Sequence, residues 1–275
     1  MNTYHQPNDL SDALAVLAAG SVTVAAGCTD LFPATTAKAL RGDVLDVMSI
    51  GGLRGIKRLS GGWRIGAATT WTDLIRADLP PSFDGLKLAA REVGSVQIQN
   101  VGTIAGNLCT ASPAGDGAPC LLTLEAKVEL QSARGTRVLP LRAFLTGPRQ
   151  NARQADELVT AILIPDVDGR GHFVKLGARK YLVISIAMVA ARVHVIGDRI
   201  ESAALAIGSC SATATRLPAM EALLAGHPLQ GAPGLVDDAV IAPALSPIDD
   251  IRGDANYRVS AATELLRRCL QDMGA

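Results

Sequence analysis

Two segments rich in small residues stand out as candidates for binding chemistry. The first, "VAAGCTDL", spans residues 24–31 after a short predicted strand, and the second, "NVGTIAGNLCTASPAGDGAP", spans residues 100–119 with Asp116 as its single charge. Small side chains leave backbone N–H groups uncovered, and such groups bind phosphates well at strand ends and helix starts. Two such loops are suited to clamp an extended dinucleotide from both sides. The same composition is equally compatible with irregular surface connections.

Motifs for other chemistries are missing from the sequence. It contains no G-x-x-x-x-G-K-[ST] phosphate loop, no G-x-G-x-x-G turn, no G-x-S-x-G elbow and no H-E-x-x-H pair. The acidic pairs Asp237-Asp238 and Asp249-Asp250 lie in Pro-rich connections, where solvated charge is the expected role. We therefore predict no catalytic acid, base or nucleophile in this chain.

Cysteine usage argues against a metal centre held by this chain. The five cysteines are scattered without a C-x-x-C pair, at positions Cys28, Cys109, Cys120, Cys210 and Cys269. Metal and iron–sulfur sites need closely spaced ligands. An odd number of cysteines behind an N-terminus without a basic leader indicates reduced thiols, so we expect a cytoplasmic protein.

The overall composition and length indicate which classes of partner and how many domains to expect. The 275 residues carry 26 basic and 26 acidic side chains, without a basic run, so a nucleic-acid partner is not expected. No apolar run is long enough for a membrane span. The length corresponds to one large or two medium domains.

Local patterns predict alternating helices and hairpins along the chain. Helices are expected at 8–20, after Pro33, from Thr70 or Thr72, near 87–94, and at the C-terminus. Hairpin turns are expected at Gly61-Gly62, Arg134-Gly135 and Gly197-Asp198. The segment 166–171, "DVDGRG", is the best internal boundary. The order of elements favours an α+β fold with two domains.

The two small-residue segments also resemble known motifs. "AAGCTDL" resembles the "AGGTDL" of the flavin subunits of the xanthine dehydrogenase and CO dehydrogenase family of molybdenum hydroxylases, and "TIAGNLCTASPAGD" is similar to that family's "TIGGNxxxASPxxD". "RIGAATTWTDL" resembles "IGAxTTxxDL", and "FVKLGARKYLVISIAMVAARV" resembles a K-x-G-x-R segment. Two C-terminal stretches, "RLPAMEALLAG" and "RGDANYRVSAATELLRR", also match, so the resemblance runs in order along nearly the whole chain.

This resemblance implies a fold and a role. It implies an α+β chain with a two-part FAD-binding domain (PCMH-like) at 1–168, in subdomains of about 1–55 and 56–168, followed by a smaller C-terminal domain at 169–275 with an antiparallel sheet and helices. The chain would be the FAD-binding medium subunit of a heteromeric hydroxylase. A large subunit would hold a molybdenum pterin cofactor and a small subunit two [2Fe–2S] clusters, in a complex expected to be a dimer of heterotrimers.

Carried over by position, the resemblance implies a set of FAD-binding residues. Backbone N–H groups would bind the pyrophosphate, Thr29 and Thr103 would add hydroxyl donors, and Asp116 would accept from ribose or ribityl hydroxyls. Tyr181 would lie against the isoalloxazine, with Lys175 and Arg179 nearby. Alternatives are an N-cap for Asp116 and a half-buried strand position for Tyr181. The full set is Ala25, Ala26, Gly27, Cys28, Thr29, Asp30, Leu31, Thr103, Ile104, Ala105, Gly106, Asn107, Asp116 and Tyr181.

Cys28 and Ala105 depart from the family pattern, which has Gly at both positions. A Cβ at positive φ costs roughly 1 kcal/mol or more, so we expect both residues to have negative φ. The functional expectation is electron transfer from the clusters through FAD to an external acceptor. The alternatives are a stand-alone flavoprotein oxidase or diaphorase, and a scaffold subunit that has lost FAD.

Overall fold

The computed structural model describes residues 3–37 and 40–275, and its N-terminal part is a small parallel sheet with one helix. Asp9 caps the helix by accepting from the N–H of Asp12 at 2.9 Å. The central strand β3 pairs with β1 and β2 on its two sides, both in parallel. The elements are β1 (Tyr4–His5), α1 (Leu10–Ala19), β2 (Val22–Ala25) and β3 (Asp43–Asp46).

A five-stranded antiparallel sheet and six helices form the middle of the chain. The strand order is β4-β5-β10-β6-β7, with a separate pair β8-β9. Buried side chains of the sheet and of α2, α3, α5 and α6 share one apolar core. The elements are β4 (Ile56–Leu59), β5 (Gly62–Gly66), α2 (Trp71–Arg76), α3 (Asp84–Glu92), α4 (Val96–Val101), α5 (Ile104–Thr110), α6 (Gly117–Thr123), β6 (Lys127–Ser132), β7 (Gly135–Pro140), α7 (Leu141–Phe144), β8 (Leu145–Gly147), β9 (Gln150–Asn151) and β10 (Leu158–Pro165).

The C-terminal part is an antiparallel sheet of order β11-β12-β13-β14 with three helices. Strand β12 is apolar on both faces: Met188 and Ala190 belong to the middle core, whereas Val189 and Ala191 pack with α10. This explains the continuous apolar run in its sequence. The elements are β11 (Arg170–Leu176), β12 (Ala187–Ile196), β13 (Arg199–Gly208), β14 (Thr215–Arg216), α8 (Pro218–Leu224), α9 (Asp238–Ile241) and α10 (Ala255–Gly274).

Helix α6 joins the middle and C-terminal parts. Its last carbonyls accept hydrogen bonds from two arginines of the C-terminal sheet: Arg192 Nε donates to Thr123 O at 2.8 Å, and Arg216 Nη1 donates to Leu122 O at 3.0 Å. The Arg192 guanidinium satisfies a carbonyl that the helix end leaves unpaired, whereas Leu122 O also accepts from the N–H of Glu125 at 3.2 Å. Helix α6 is thereby fixed to the sheet that follows it in the chain.

Most predicted elements are confirmed, and two are wrong. Residues 33–34 belong to a turn and residues 35–37 are irregular, so no helix forms there, and residues 38–39 of that prediction lie outside the described part of the chain. The segment 100–119 is not one long loop, because α5 occupies 104–110 and α6 begins at 117. Ile104 and Leu108 are buried, and this tertiary packing overrides the loop-like composition. No helix within the described residues has the length and apolar character to cross a membrane.

Candidate functional site

The first small-residue segment continues from the end of β2 and contains a row of backbone N–H groups without protein acceptors. Across the described residues, the N–H groups of residues 27–30 donate to no protein acceptor. The Thr29 hydroxyl likewise has no protein partner there. Consecutive free amides after a strand form a concavity that suits a diphosphate. The predicted anion-binding chemistry is therefore available at this segment.

Gly27 brings this segment into backbone contact with the second one. A Cβ placed on Gly27 would lie 1.8 Å from the carbonyl oxygen of Val101 and 2.9 Å from the Cα of Gly102. Farther along, Thr110 Oγ1 donates to Asp30 Oδ2 at 3.3 Å. The two predicted motifs are far apart in sequence and form one site in the fold.

The second segment contributes a helix start rather than a loop. Thr103 caps α5, since its Oγ1 accepts from the N–H of Gly106 at 3.1 Å. The N–H groups of Ile104 and Ala105 donate to carbonyls of residues 69 and 67, and that of Asn107 donates to Thr103 O. The amides of residues 104–107 are thus engaged by protein, whereas the Thr103 N–H donates to no protein acceptor within the described residues. The first motif therefore offers a row of open amides, while the second offers the Thr103 N–H and the Thr103 hydroxyl proton.

Asn107 supplies an unpartnered polar atom at this helix start. Its Oδ1 is buried and makes no hydrogen bond within the described residues. It lies against Gly115 and Gly117, where a Cβ would come within 3.3 Å and 3.2 Å of it. Buried amide oxygens normally have partners, and an orphan at a candidate site marks a place for a ligand group. The sequence analysis predicted that Asn107 would bind the ligand through its backbone N–H. In the structure, the atom of Asn107 without a partner is the side-chain oxygen.

Asp116 occupies the N-cap position of α6, as the alternative expected, but its side chain makes no capping hydrogen bond. Instead Lys175 Nζ donates to Oδ2 at 2.8 Å, and Ser185 Oγ donates to Oδ1 at 2.7 Å. Burial raises the pKa of Asp116, and the contacts with Lys175 and Ser185 oppose that rise. Each oxygen retains a lone pair for a further donor. The sequence pattern gave no signal for Ser185.

Tyr181 lies on the loop between β11 and β12. Its ring is 62% exposed and is approached by Lys180 Nζ at 5.3 Å from the centroid, so the half-buried strand alternative is wrong. Beside the loop is a cleft of about 500 Å³, within the range of ligand sites. Its walls include Leu88, Glu92, Phe173, Lys175 and Arg179.

Cys28 contradicts one expectation about the backbone. Its φ is +57°, in the left-handed region, whereas Ala105 has negative φ inside α5, as expected. The thiol donates to Ala26 O at 3.2 Å. Burial, with a further contribution from Asp46, raises the pKa of the Cys28 thiol. The thiol therefore stays protonated at neutral pH and is a poor nucleophile.

The site contains no protein metal centre within the described residues. No group of three or more His, Cys, Asp or Glu side chains there is arranged to hold a metal ion. All five cysteines are free. The groups available for ligand binding are backbone amides, hydroxyls, one side-chain amide without a partner and a buried carboxylate. Such groups suit an organic molecule that carries phosphate.

Comparison with known families matches both parts of the chain. Residues 1–167 match the family described as the FAD binding domain in molybdopterin dehydrogenase. Residues 172–273 match the CO dehydrogenase flavoprotein C-terminal domain. Together these matches cover nearly the whole sequence.

Individual relatives agree with the family matches. The chain is 31% identical to the carbon monoxide dehydrogenase medium chain of Afipia carboxidovorans, over 98% of this chain and 95% of that protein. It is 28% identical to the nicotine 6-hydroxylase medium subunit of Paenarthrobacter nicotinovorans, over 99% and 97%. A solved structure of reconstituted CO dehydrogenase from Oligotropha carboxidovorans superposes with a TM-score of 0.91 at 29% identity, over 98% of this chain and 96% of that one.

The residues present fit FAD, on grounds that are independent of the comparisons. The open amides of residues 27–30 match a pyrophosphate, and the orphaned Asn107 Oδ1 needs a donor. Gly27 leaves no room for a Cβ where the two motifs meet. With the family matches, these features establish that the chain belongs to the family of FAD-binding medium subunits of molybdenum hydroxylases.

Proposed function

We propose that this chain is an electron-transfer subunit, which passes electrons from [2Fe–2S] clusters of a small subunit through FAD to an external acceptor. The observation that carries the proposal is the open amide row of residues 27–30, joined through Gly27 to the start of α5. When bound, FAD supplies redox chemistry that accepts electrons singly or in pairs. The chain supplies the binding and the orientation.

Each part of the site has a proposed task. The N–H groups of residues 27–30 donate to the pyrophosphate, and the Thr29 and Thr103 hydroxyls add donors. The Asn107 side chain and the Asp116 carboxylate bind hydroxyl groups of the ribose or ribityl chain. Tyr181 packs against the isoalloxazine from its loop. These tasks use groups that the fold leaves available for further hydrogen bonds.

The proposed partners follow from the names of the relatives as medium chains and medium subunits. We propose a large subunit with a molybdenum pterin cofactor and a small subunit with two [2Fe–2S] clusters, doubled by two-fold symmetry into a dimer of heterotrimers. The five free cysteines support a reducing compartment, the cytoplasm. A division into 1–168, with parts of about 1–55 and 56–168, and 169–275 is supported by the short connection between β10 and β11.

A visible spectrum of the purified chain tests FAD binding. We expect flavin bands at about one FAD per chain, from the open donors described above. A chain that is purified without flavin and takes none up from free FAD would favour the FAD-less scaffold instead.

Mixing experiments test the electron-transfer role. The small subunit is reduced with dithionite, separated from excess reductant and mixed with the oxidised chain. We expect bleaching of the flavin bands together with return of the oxidised cluster bands. An unchanged flavin would contradict the role. Turnover of an organic substrate by the isolated chain alone would support the oxidase or diaphorase alternative.

A further inference from the structure

The loop of residues 177–184 is exposed, yet its two ends are tied together. It connects β11 to β12, and Ile186 N donates to Leu176 O at 2.7 Å across its base. Tyr181 and Leu182 on the loop are 62% and 54% exposed. Within the loop, Arg179 Nε donates to Leu182 O at 3.1 Å. The loop thus has a defined shape although its apolar side chains face outward.

A single carboxylate binds residues at both ends of this loop. Lys175, before the loop, donates to Asp116 Oδ2, and Ser185, after the loop, donates to Asp116 Oδ1. The Lys175 and Asp116 side chains are 7% and 9% exposed, and Ser185 is buried. Hydrogen bonds to a buried charged acceptor are stronger than those between neutral groups. Asp116 therefore clamps both ends of the loop at once.

The helix that carries Asp116 is tethered at its other end. Asp116 begins α6, and the other end of α6 is held by Arg192 and Arg216 through the carbonyls of Thr123 and Leu122. Because the helix is tethered, the Asp116 carboxylate at its start can hold both ends of the loop in place. Loss of either hydrogen bond would free one end of the loop without moving the helix.

We propose that Ser185 is a positioning residue that acts through Asp116 to hold the loop of residues 177–184, and with it Tyr181, in its observed position beside the cleft. The inference rests on the proposed function in one respect, because Tyr181 is there assigned to the isoalloxazine. The clamp itself involves only residues of this chain. The proposal predicts that removal of the Ser185 hydroxyl makes the loop more mobile and at the same time changes the environment of the flavin.

Limited proteolysis of the full-length chain with FAD bound tests the clamp. Lys180 is exposed, but a protease must draw the surrounding backbone into an extended conformation, so the rate of cutting after Lys180 reports local opening of the loop. In Ser185→Ala we expect cleavage of the bond between Lys180 and Tyr181, followed by mass spectrometry, to be about tenfold faster than in wild type. Lys175→Met, which removes the other arm, should act in the same direction. Cleavage at sites outside the loop should stay at the wild-type rate.

Ser209→Ala is the matched control. Ser209 is also buried, but its Oγ has no hydrogen-bond partner within the described residues. Removing it deletes a buried hydroxyl without touching the clamp. We expect wild-type cleavage after Lys180 and an unchanged visible circular dichroism spectrum of the flavin. In Ser185→Ala the flavin circular dichroism bands should shift while the FAD content stays at one per chain.

Two results would overturn the proposal. One is cleavage after Lys180 at the same rate in Ser185→Ala and Ser209→Ala. The other is a parallel increase at every trypsin site together with a lower Tm, which would indicate global destabilisation. A preparation that contains no FAD would contradict the proposed function and not the clamp. The rates of cleavage after Lys180 in Ser185→Ala and Ser209→Ala, measured on that preparation, would still test the clamp.

Discussion

At the scale of single residues, Cys28 shows why the family motif has glycine at its position. The backbone there has a φ of +57°, where glycine is unstrained and a residue with a Cβ is not. The strain is roughly 1 kcal/mol, and the bond from the Cys28 thiol to Ala26 O offsets part of it. The preference for glycine is therefore conformational, and close approach to the ligand is not needed to explain it.

Substitutions at Cys28 test this explanation. Cys28→Gly relieves the strain but adds freedom to the unfolded chain, so we expect a change in unfolding free energy within about 1 kcal/mol and full FAD content. Cys28→Val places a β-branched side chain at positive φ and should cost about 1–2 kcal/mol more than glycine, with reduced FAD content. Urea denaturation and flavin absorbance measure both effects. Equal stability of the valine and glycine variants would refute the explanation.

Gly27 has a different requirement, because its Cβ would meet backbone. In Gly27→Ala the new carbon would lie 1.8 Å from Val101 O, so the two motifs must move apart. We expect a loss of about 2 kcal/mol or more in unfolding free energy and loss of bound FAD. Gly52→Ala is the control, since its Cβ would have no atom within 4 Å. Normal FAD content in Gly27→Ala would show that the motifs need not touch.

At the scale of elements, β10 is held at its start by a buried carboxylate. Glu157 immediately precedes β10, and its side chain is 5% exposed. Arg137 of β7 donates to its two oxygens at 2.6 Å and 2.8 Å, and Gln154 N donates to it at 2.7 Å. The hydrogen bonds from Arg137 lower the pKa of Glu157 below its ordinary value of 4.5. This contact fixes the edge of the five-stranded sheet.

The lowered pKa of Glu157 predicts how stability depends on pH. Because the folded pKa is depressed, the ionised carboxylate stabilises the fold above the unfolded pKa, and this contribution is lost as pH falls through the folded pKa. Glu157→Gln should cost about 1–3 kcal/mol near neutral pH. The difference from wild type should shrink steadily in urea titrations as pH falls below the ordinary glutamate pKa of 4.5. A difference that stays constant below that pH would contradict the ionic contribution.

At the scale of the whole molecule, exposed apolar side chains mark surface suited to partner subunits. The loop of residues 177–184 exposes Tyr181, Leu182 and Ile184, and Ile251 is 98% exposed. The formal net charge of the chain is zero. Docking of the proposed partners should thus depend on apolar contact more than on long-range electrostatic attraction.

Salt dependence of the assembled complex tests this view. Between low salt and molar salt, we expect the dissociation constant of the co-expressed subunits to change by less than about tenfold, because apolar burial is not screened. Light scattering over a dilution series gives the assembly state. Steep dissociation with rising salt, or a native chain found only as a monomer, would contradict the prediction.

Local sequence signals were sufficient for much of the fold. The start of α2 after Thr70 and the turn at Gly197-Asp198 lie where short-range patterns predict them, and the turn predicted at Arg134-Gly135 lies one residue earlier, at Ala133-Arg134. Such signals act over a few residues, through turn conformations and capping bonds. The two motifs, and their resemblance to a known family, are likewise contained in short stretches of sequence.

Tertiary structure decided the features that depend on residues far apart in the chain. Asp116 finds Lys175 and Ser185 in a later part of the chain, and no local pattern encodes those partners. Gly27 lies directly against the backbone of Val101, and α5 forms in a loop-like sequence because Ile104 and Leu108 are buried. The sequence by itself thus determined which segments carry the proposed cofactor-binding motifs. Packing between distant segments determined which atoms of those segments remain without a protein partner, because burial and hydrogen-bond partners are set only when the chain folds.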